Sequence, residues 1–214
     1  MKVLFLDLET NGLPQQISYN SYYSYDQINK YRNSRIIQLA YILCDIDIDC
    51  VNVTNFKIIS KKDFIIKPNG FIINNSDIHG IKHNDASING LEFNKIVNLI
   101  KDDFINTELI VAHNILFDKN VLLSELFRIQ STELINHITK IKYFCTSKGC
   151  VNITKIKFRN FYKQPKLSEL YYYLFKKNIE GQHNAIYDTE NLMLCFIELI
   201  NKKYITKEII NNFN

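Results

Sequence analysis

The sequence predicts an α/β domain built on a central mixed sheet of five strands flanked by helices. Three observations lead there. Apolar, β-branched runs dominate the first 66 residues, segments with helical spacing dominate the second half, and a short buried strand at 109–112 feeds directly into a helix. At 214 residues the chain suits one domain with ample material for a core. With no internal repeat or linker visible, residues 1–214 are expected to form a single unit.

Each element has its own reason. Residues 2–7 read as a first buried strand, Val3-Leu4-Phe5-Leu6-Asp7-Leu8-Glu9-Thr10 being the run that carries it, and Asn11-Gly12-Leu13-Pro14 as the loop after it. Residues 15–34, rich in Tyr, Ser, Asn and Gln, form a polar insertion. Arg35 to Cys44 is a long central strand, and residues 51–60 and 63–66 continue as two strands divided at Lys61-Lys62. Asn75-Ser76-Asp77 caps a short helix through Ile81. Asp85 or Ser87 caps a longer one over 88–104, with Leu91, Ile96, Val97, Ile100 and Phe104 near helical spacing. After strand 109–112, residues 115–129 make an amphipathic helix with Leu116, Val121, Leu122, Leu126 and Ile129 as its stripe. A strand is expected at 141–145, a basic irregular stretch at 147–165, and helices at 167–176, 186–202 and 206–212.

Composition narrows the class. An apolar fraction of 46% and a charged fraction of 22% are those of a soluble globular protein. No apolar stretch approaches the roughly 20 residues that span a bilayer, and the first strand starts at once, so no signal peptide or membrane association is expected. Five cysteines without a Cys-x-x-Cys pair point to free thiols in a reducing, intracellular compartment. Cys145 and Cys150 lack the partners of a structural zinc site. The net charge of +4, with 26 Lys+Arg against 22 Asp+Glu, is too small to establish nucleic-acid binding alone. Abundant Asn, Ile, Lys and Tyr reflect residue usage typical of an AT-rich genome.

The chemistry starts with Asp7 and Glu9. Residues i and i+2 of a strand share a face, so the two carboxylates project together. Like charges that close repel unless a cation neutralises them, and hard oxygen donors suit magnesium or manganese. Asp-x-Glu before a loop is also a common solvated turn. Asp118 lies about one turn into the helix after 109–112, a natural place for a functional group, and equally one where the helix dipole favours an acid. His183 precedes the helix at 186–202 and Asp188 sits at its start, where the same two readings apply. Each has an ordinary explanation; all three elements together do not.

In this order the residues Asp7, Glu9, Asp118, His183 and Asp188 resemble the DnaQ-like 3′–5′ exonuclease family, in the histidine-containing DEDD branch of the ribonuclease H-like superfamily. The resemblance runs from about Lys2 to Ile200. It includes Asp7 through Pro14, Arg35-Ile36-Ile37-Gln38-Leu39-Ala40, Ile78-His79-Gly80-Ile81, Ala112-His113-Asn114 through Phe117-Asp118, and His183-Asn184-Ala185 through Asp188. Asn11 departs from it, since many members carry a second threonine there.

The resemblance implies a ribonuclease H-like fold. It implies two Mg2+ or Mn2+ ions held by Asp7, Glu9, Asp118 and Asp188, with His183 as general base. Thr10, Asn11, Gly12, Leu13, Asn114 and Phe117 would contact substrate, although Asn114 also reads as a helix cap and Phe117 as a core aromatic. His79 and His113 read as structural histidines. The implied activity is release of nucleoside 5′-monophosphates from a single-stranded or frayed 3′ end, DNA favoured. RNA trimming, or a non-catalytic nucleic-acid-binding or polymerase accessory role, is the alternative. A proofreading role would need a separate polymerase partner. The Tyr-rich insertion 15–34 and the basic stretch 147–165 are each either strand-binding surfaces or solvated connections.

Overall fold

The computed structural model describes residues 1–49, 52–180 and 184–213. Its main sheet has five strands: β1 (Lys2–Thr10), β4 (Ile36–Ile48), β5 (Val53–Ile65), β6 (Leu109–Ala112) and β7 (Lys142–Cys145). They lie in the order β5-β4-β1-β6-β7. The pairs β1–β4 and β4–β5 are antiparallel, while β1–β6 and β6–β7 are parallel, so the expected mixed sheet is present.

Alternation along β1 divides the core. Leu4, Leu6 and Leu8 face one side, packing with α3 (Phe93–Ile105), α4 (Ile115–Arg128) and α5 (Thr132–Lys140). Val3 and Phe5 face the other, packing with α8 (Leu167–Phe175) and α9 (Ala185–Asn201). Sheet strands covered on both faces must be apolar almost throughout, and the run Ile36 to Cys44 is buried throughout. Each fully buried Leu or Phe is worth roughly 1.5–3 kcal/mol. The Phe5 and Phe196 rings meet edge to face with centroids 5.5 Å apart, fixing α9 against β1.

Several boundaries differ from expectation. The first strand extends to Thr10, so both acids lie inside it: Asp7 pairs with Ala40 and Glu9 with Gln38. The division at Lys61-Lys62 is absent. Lys61 pairs with Ile42 and Lys62 with Tyr41 within one thirteen-residue edge strand, whose exposed faces tolerate lysine. Residues 50 and 51, where a strand start was expected, lie outside the described residues.

The expected helix over 88–104 is two helices, α2 (His83–Asn89) and α3, after the short α1 (Ser76–His79). Asp85 and Ser87 lie inside α2 rather than capping a later helix. The break falls at Gly90 because Leu91 forms a parallel bridge with Ile66. A Cβ on Gly90 would sit 2.4 Å from the Ala86 carbonyl oxygen and 2.7 Å from the Lys67 nitrogen, so only glycine fits this junction. The helix α5 was not foreseen.

Both polar segments carry more order than expected. The insertion 15–34 contains a hairpin of β2 (Gln16–Ser18) and β3 (Ser21–Tyr22), then a 3-10 turn over Ile28–Tyr31. Tyr31 is fully buried, and its hydroxyl donates to the Tyr23 carbonyl at 2.5 Å, so it belongs to the core. Stretch 147–165 holds the rest of α6 (Thr146–Gly149), then α7 (Val151–Thr154) and a hairpin of β8 (Lys157–Phe158) and β9 (Phe161–Tyr162). Helix α10 (Lys207–Asn211) is the last element among the described residues. Among the described residues, no helix is long and apolar enough to cross a membrane.

Candidate active site

The site lies where β1 outruns its parallel neighbour. Ladder pairing between β1 and β6 ends at Phe5 opposite Val111, leaving Asp7 and Glu9 beyond the carboxyl end of β6. Such strand ends are where open α/β sheets bind ligands. Two helices close on this gap from opposite faces. After β6, Asn114 adopts a left-handed conformation (φ 81°, ψ 49°) that turns the chain sharply into α4, setting Asp118 in the first turn. Asparagine is among the few residues that visit this region readily. From the other face α9 starts at Ala185 and carries Asp188 in its own first turn.

Single carboxylate oxygens of Asp7, Glu9 and Asp188 lie within 4.8 Å of one another. Asp118, buried beside them, contributes its charge to the field at Asp7. Burial first, then the charges of Asp118, Asp188 and Glu9, push the Asp7 carboxyl well above its usual range. Glu9 is pushed up to about 7 by burial and then by Asp188. Asp118 is also raised, chiefly by burial, while backbone N–H groups including that of Leu8 oppose the shift. Four carboxylates so disposed repel one another, and a hard divalent cation reverses that repulsion. The donor set, all carboxylate oxygen, fits magnesium or manganese.

A polar network that the sequence reading did not assign holds α9 in place. Gln38, buried on β4 and paired with Glu9, accepts the Ala185 N–H through Oε1 at 3.2 Å. Its Nε2 donates to Asp63 Oδ1 at 2.8 Å and to Asn184 Oδ1 at 3.4 Å. Asn184 caps α9 by accepting the Ile186 N–H at 3.3 Å. The signal was a glutamine within an otherwise apolar strand, since a buried amide needs partners.

The remaining expected residues fall around this centre. Thr10 Oγ1 donates to the Gly12 carbonyl at 2.9 Å, shaping the turn, and Leu13 is 74% exposed. Asn11 Oδ1 accepts the Asn74 N–H at 2.7 Å. A Cβ on Gly12 would lie 2.9 Å from the Asn33 carbonyl oxygen, which explains the glycine. Phe117 packs partly against the core on the α4 side. Burial raises the pKa of Tyr22 on hairpin β2–β3, and the Asp118 charge adds to that rise, so the hairpin lies beside the site.

His183 lies outside the described residues. His79 and His113 are structural, as expected. His79 Nε2 donates to the Asn74 carbonyl at 3.1 Å and Nδ1 accepts the Ile81 N–H at 3.1 Å. His113 Nε2 donates to the Pro165 carbonyl at 2.8 Å, Nδ1 accepts from Thr146 Oγ1 at 2.9 Å, and burial lowers its pKa to about 4.

The family model described as an exonuclease, RNase_T, matches residues 4–196. Among solved structures, Exonuclease X in complex with 5′-overhanging duplex DNA is 19% identical, with a TM-score of 0.57 over 97% of this chain and 95% of that one. Exonuclease I from Methylocaldum szegediense is 17% identical with a TM-score of 0.64, covering 99% of this chain and 42% of the other. A 3′-exonuclease recognising a histone mRNA stem-loop is 13% identical with a TM-score of 0.58, covering 94% and 64%. No curated protein matches the chain in sequence.

Proposed function

The chain belongs to the exonuclease family, and on that premise we propose that it is a metal-dependent 3′–5′ exonuclease of the histidine-containing DEDD type. It hydrolyses the terminal phosphodiester of a single-stranded or frayed 3′ end, DNA in preference to RNA, releasing nucleoside 5′-monophosphates. The observation that carries this reading is the convergence of Asp7, Glu9 and Asp188 oxygens within 4.8 Å, beside buried Asp118.

Asp7, Glu9, Asp118 and Asp188 would hold two Mg2+ or Mn2+ ions. When bound, such ions supply positive charge to the attacking and leaving oxygens of phosphodiester hydrolysis. Asp7 stands where the charges of the other three acids meet. His183 takes the proton of the attacking water, a task for which its ordinary pKa of about 6.5 is matched. The bond from phosphorus to the 3′ oxygen of the penultimate nucleotide breaks, and the phosphate stays on the released 5′ oxygen. Gln38 and Asn184 keep Asp188 in register with Asp7. The turn Thr10-Asn11-Gly12-Leu13 receives the terminal nucleotide, with Leu13 against its base, and Asn114 and Phe117 border the strand. In a proofreading role a separate polymerase would supply the frayed end.

A 5′-labelled DNA oligonucleotide incubated with manganese should shorten stepwise from its 3′ end. Chelator or a 3′ block should stop it. Degradation of the 3′-blocked strand would contradict the polarity, and faster loss of a matched RNA would reverse the substrate preference.

A further inference from the structure

Beside the turn that follows the acids lies an open pocket of about 500 Å3, lined by Asn11, Arg32, Arg35, Phe71, Asn74 and Arg128 among others. Among the described residues, none that lines it is acidic. Three arginines thus meet there, and two of them, Arg35 and Arg128, face the carboxylate of Glu125, buried on α4. Arg35 engages Glu125 with both Nε and Nη2, the latter at 3.2 Å. Arg128 approaches the same carboxylate at 3.6 Å through Nε, which is buried without a hydrogen-bond partner. Arg32 is exposed at the rim and, among the described residues, has no carboxylate partner. Three positive charges against one negative leave about two in excess. The Arg32 and Arg35 charges, with burial as the larger cause, push the Arg128 pKa down.

The cluster is rigidly built and tied to the acid strand. Arg128 Nη2 donates to the Ile28 carbonyl at 3.0 Å and the Tyr31 carbonyl at 3.4 Å, locking the insertion onto α4. Arg35 Nη1 donates to the Asn69 carbonyl at 3.3 Å, and its guanidinium stacks 4.7 Å from the Phe71 ring centroid. The Asn11 N–H donates to the Arg35 carbonyl at 2.9 Å. Asn11 is two residues past Glu9, within about 7 Å of it along an extended chain. The pocket therefore opens within reach of a strand whose end meets the carboxylates. The acids gather excess negative charge and await cations; the arginines gather excess positive charge and await an anion. Guanidinium suits phosphate because its planar fork donates to two oxygens at once.

We propose that the Arg32–Arg35–Arg128 pocket is a phosphate-binding site that holds a non-scissile internucleotide phosphate of the bound strand. The site rests on the nuclease reading above, and it gives the insertion 15–34 a role: it brings Arg32 to the rim and is itself fastened by Arg128.

Arg32 is the residue to change, because it is exposed and carries no fold contact comparable to those of Arg35 and Arg128. Binding of a fluorescent single-stranded oligonucleotide to the full chain, in chelator over a salt series, reads the site directly. For wild type, log K falls linearly with log salt; removing one phosphate contact from a single strand lowers the slope by about 0.7. Arg32→Gln should weaken binding severalfold and flatten the slope by that amount, Arg32→Lys should keep the slope, and Lys57→Gln, on the distant edge strand, should change neither. Equal slopes for Arg32→Gln and wild type would overturn the pocket while leaving the nuclease reading standing. Absence of oligonucleotide binding and cleavage by wild type would overturn both. Should a nucleoside 5′-monophosphate compete in an Arg32-dependent way while oligonucleotide binding ignores Arg32, the occupant is a free phosphate monoester, and the strand assignment falls.

Discussion

Gln38 on β4 and Ala185 at the start of α9 are joined by a hydrogen bond of 3.2 Å, from the Ala185 N–H to Gln38 Oε1. Gln38 lies opposite Glu9 in the sheet, and Asp188 stands in the first turn of the helix that Ala185 begins. One amide side chain therefore ties the strand beside Glu9 to the helix that carries Asp188, and holds close two acids whose charges repel.

Because burial and like charge both oppose ionisation of Asp7, removing its charge should strengthen the metal-free fold. Asp7→Asn should raise the Tm in chelator by about 2–4 °C, the shift that about 1 kcal/mol gives in a domain of this size. Cleavage should vanish in the same variant, as in Asp7→Ala and Asp188→Ala with the fold retained. Full turnover by any of them would dismiss the site.

Stability should depend on pH through Glu9. Its ordinary value is 4.5 and its folded value about 7, so between these limits the folded chain holds a proton that the unfolded chain releases. Stability from this source therefore declines as pH rises from about 4.5 to about 7. Thermal melts in chelator should show that decline. Saturating magnesium or manganese should abolish it, because the ionised acids are then the stable form; identical profiles with and without metal would count against a metal centre.

Gln38→Ala should leave the Ala185 N–H without its acceptor and deprive Asp63 Oδ1 and Asn184 Oδ1 of the amide donor, costing about 1–3 kcal/mol. The consequence specific to positioning is a higher metal concentration for half-maximal activity. A destabilised variant with an unchanged metal requirement would reduce Gln38 to a packing role.

His183→Ala should lower the rate by about 10²–10⁴-fold with metal binding retained. The acidic limb of the pH–rate profile should disappear with it. An unaltered profile would assign the proton transfer to another group.

Much of the site was legible because its chemistry is written in charged residues beside apolar runs. Asp7 and Glu9 lie two apart on a strand, and Asp118 and Asp188 each stand in the first turn of a helix. What escaped was set by contacts distant in sequence. The helix break at Gly90 depends on Ile66 receiving Leu91 as a strand partner, and spacing alone cannot report that. The edge position of β5 made Lys61 and Lys62 look like an interruption, since an exposed strand shows no strict alternation. Tyr31 lies in an insertion whose composition reads as polar, yet it is buried through the insertion's own turn. The helix α5 did carry a signal, in Leu134, Ile135 and Ile138, which all reach the core.

The acids are drawn from widely separated stretches of sequence, Asp7 from β1 and Asp188 from α9. During synthesis β1 emerges first and must wait for α9 before Asp7, Glu9 and Asp188 can meet. A nascent chain that stops short of Asp188 carries only part of this carboxylate cluster. On the proposed function, such an unfinished copy has no complete centre with which to attack nucleic acid.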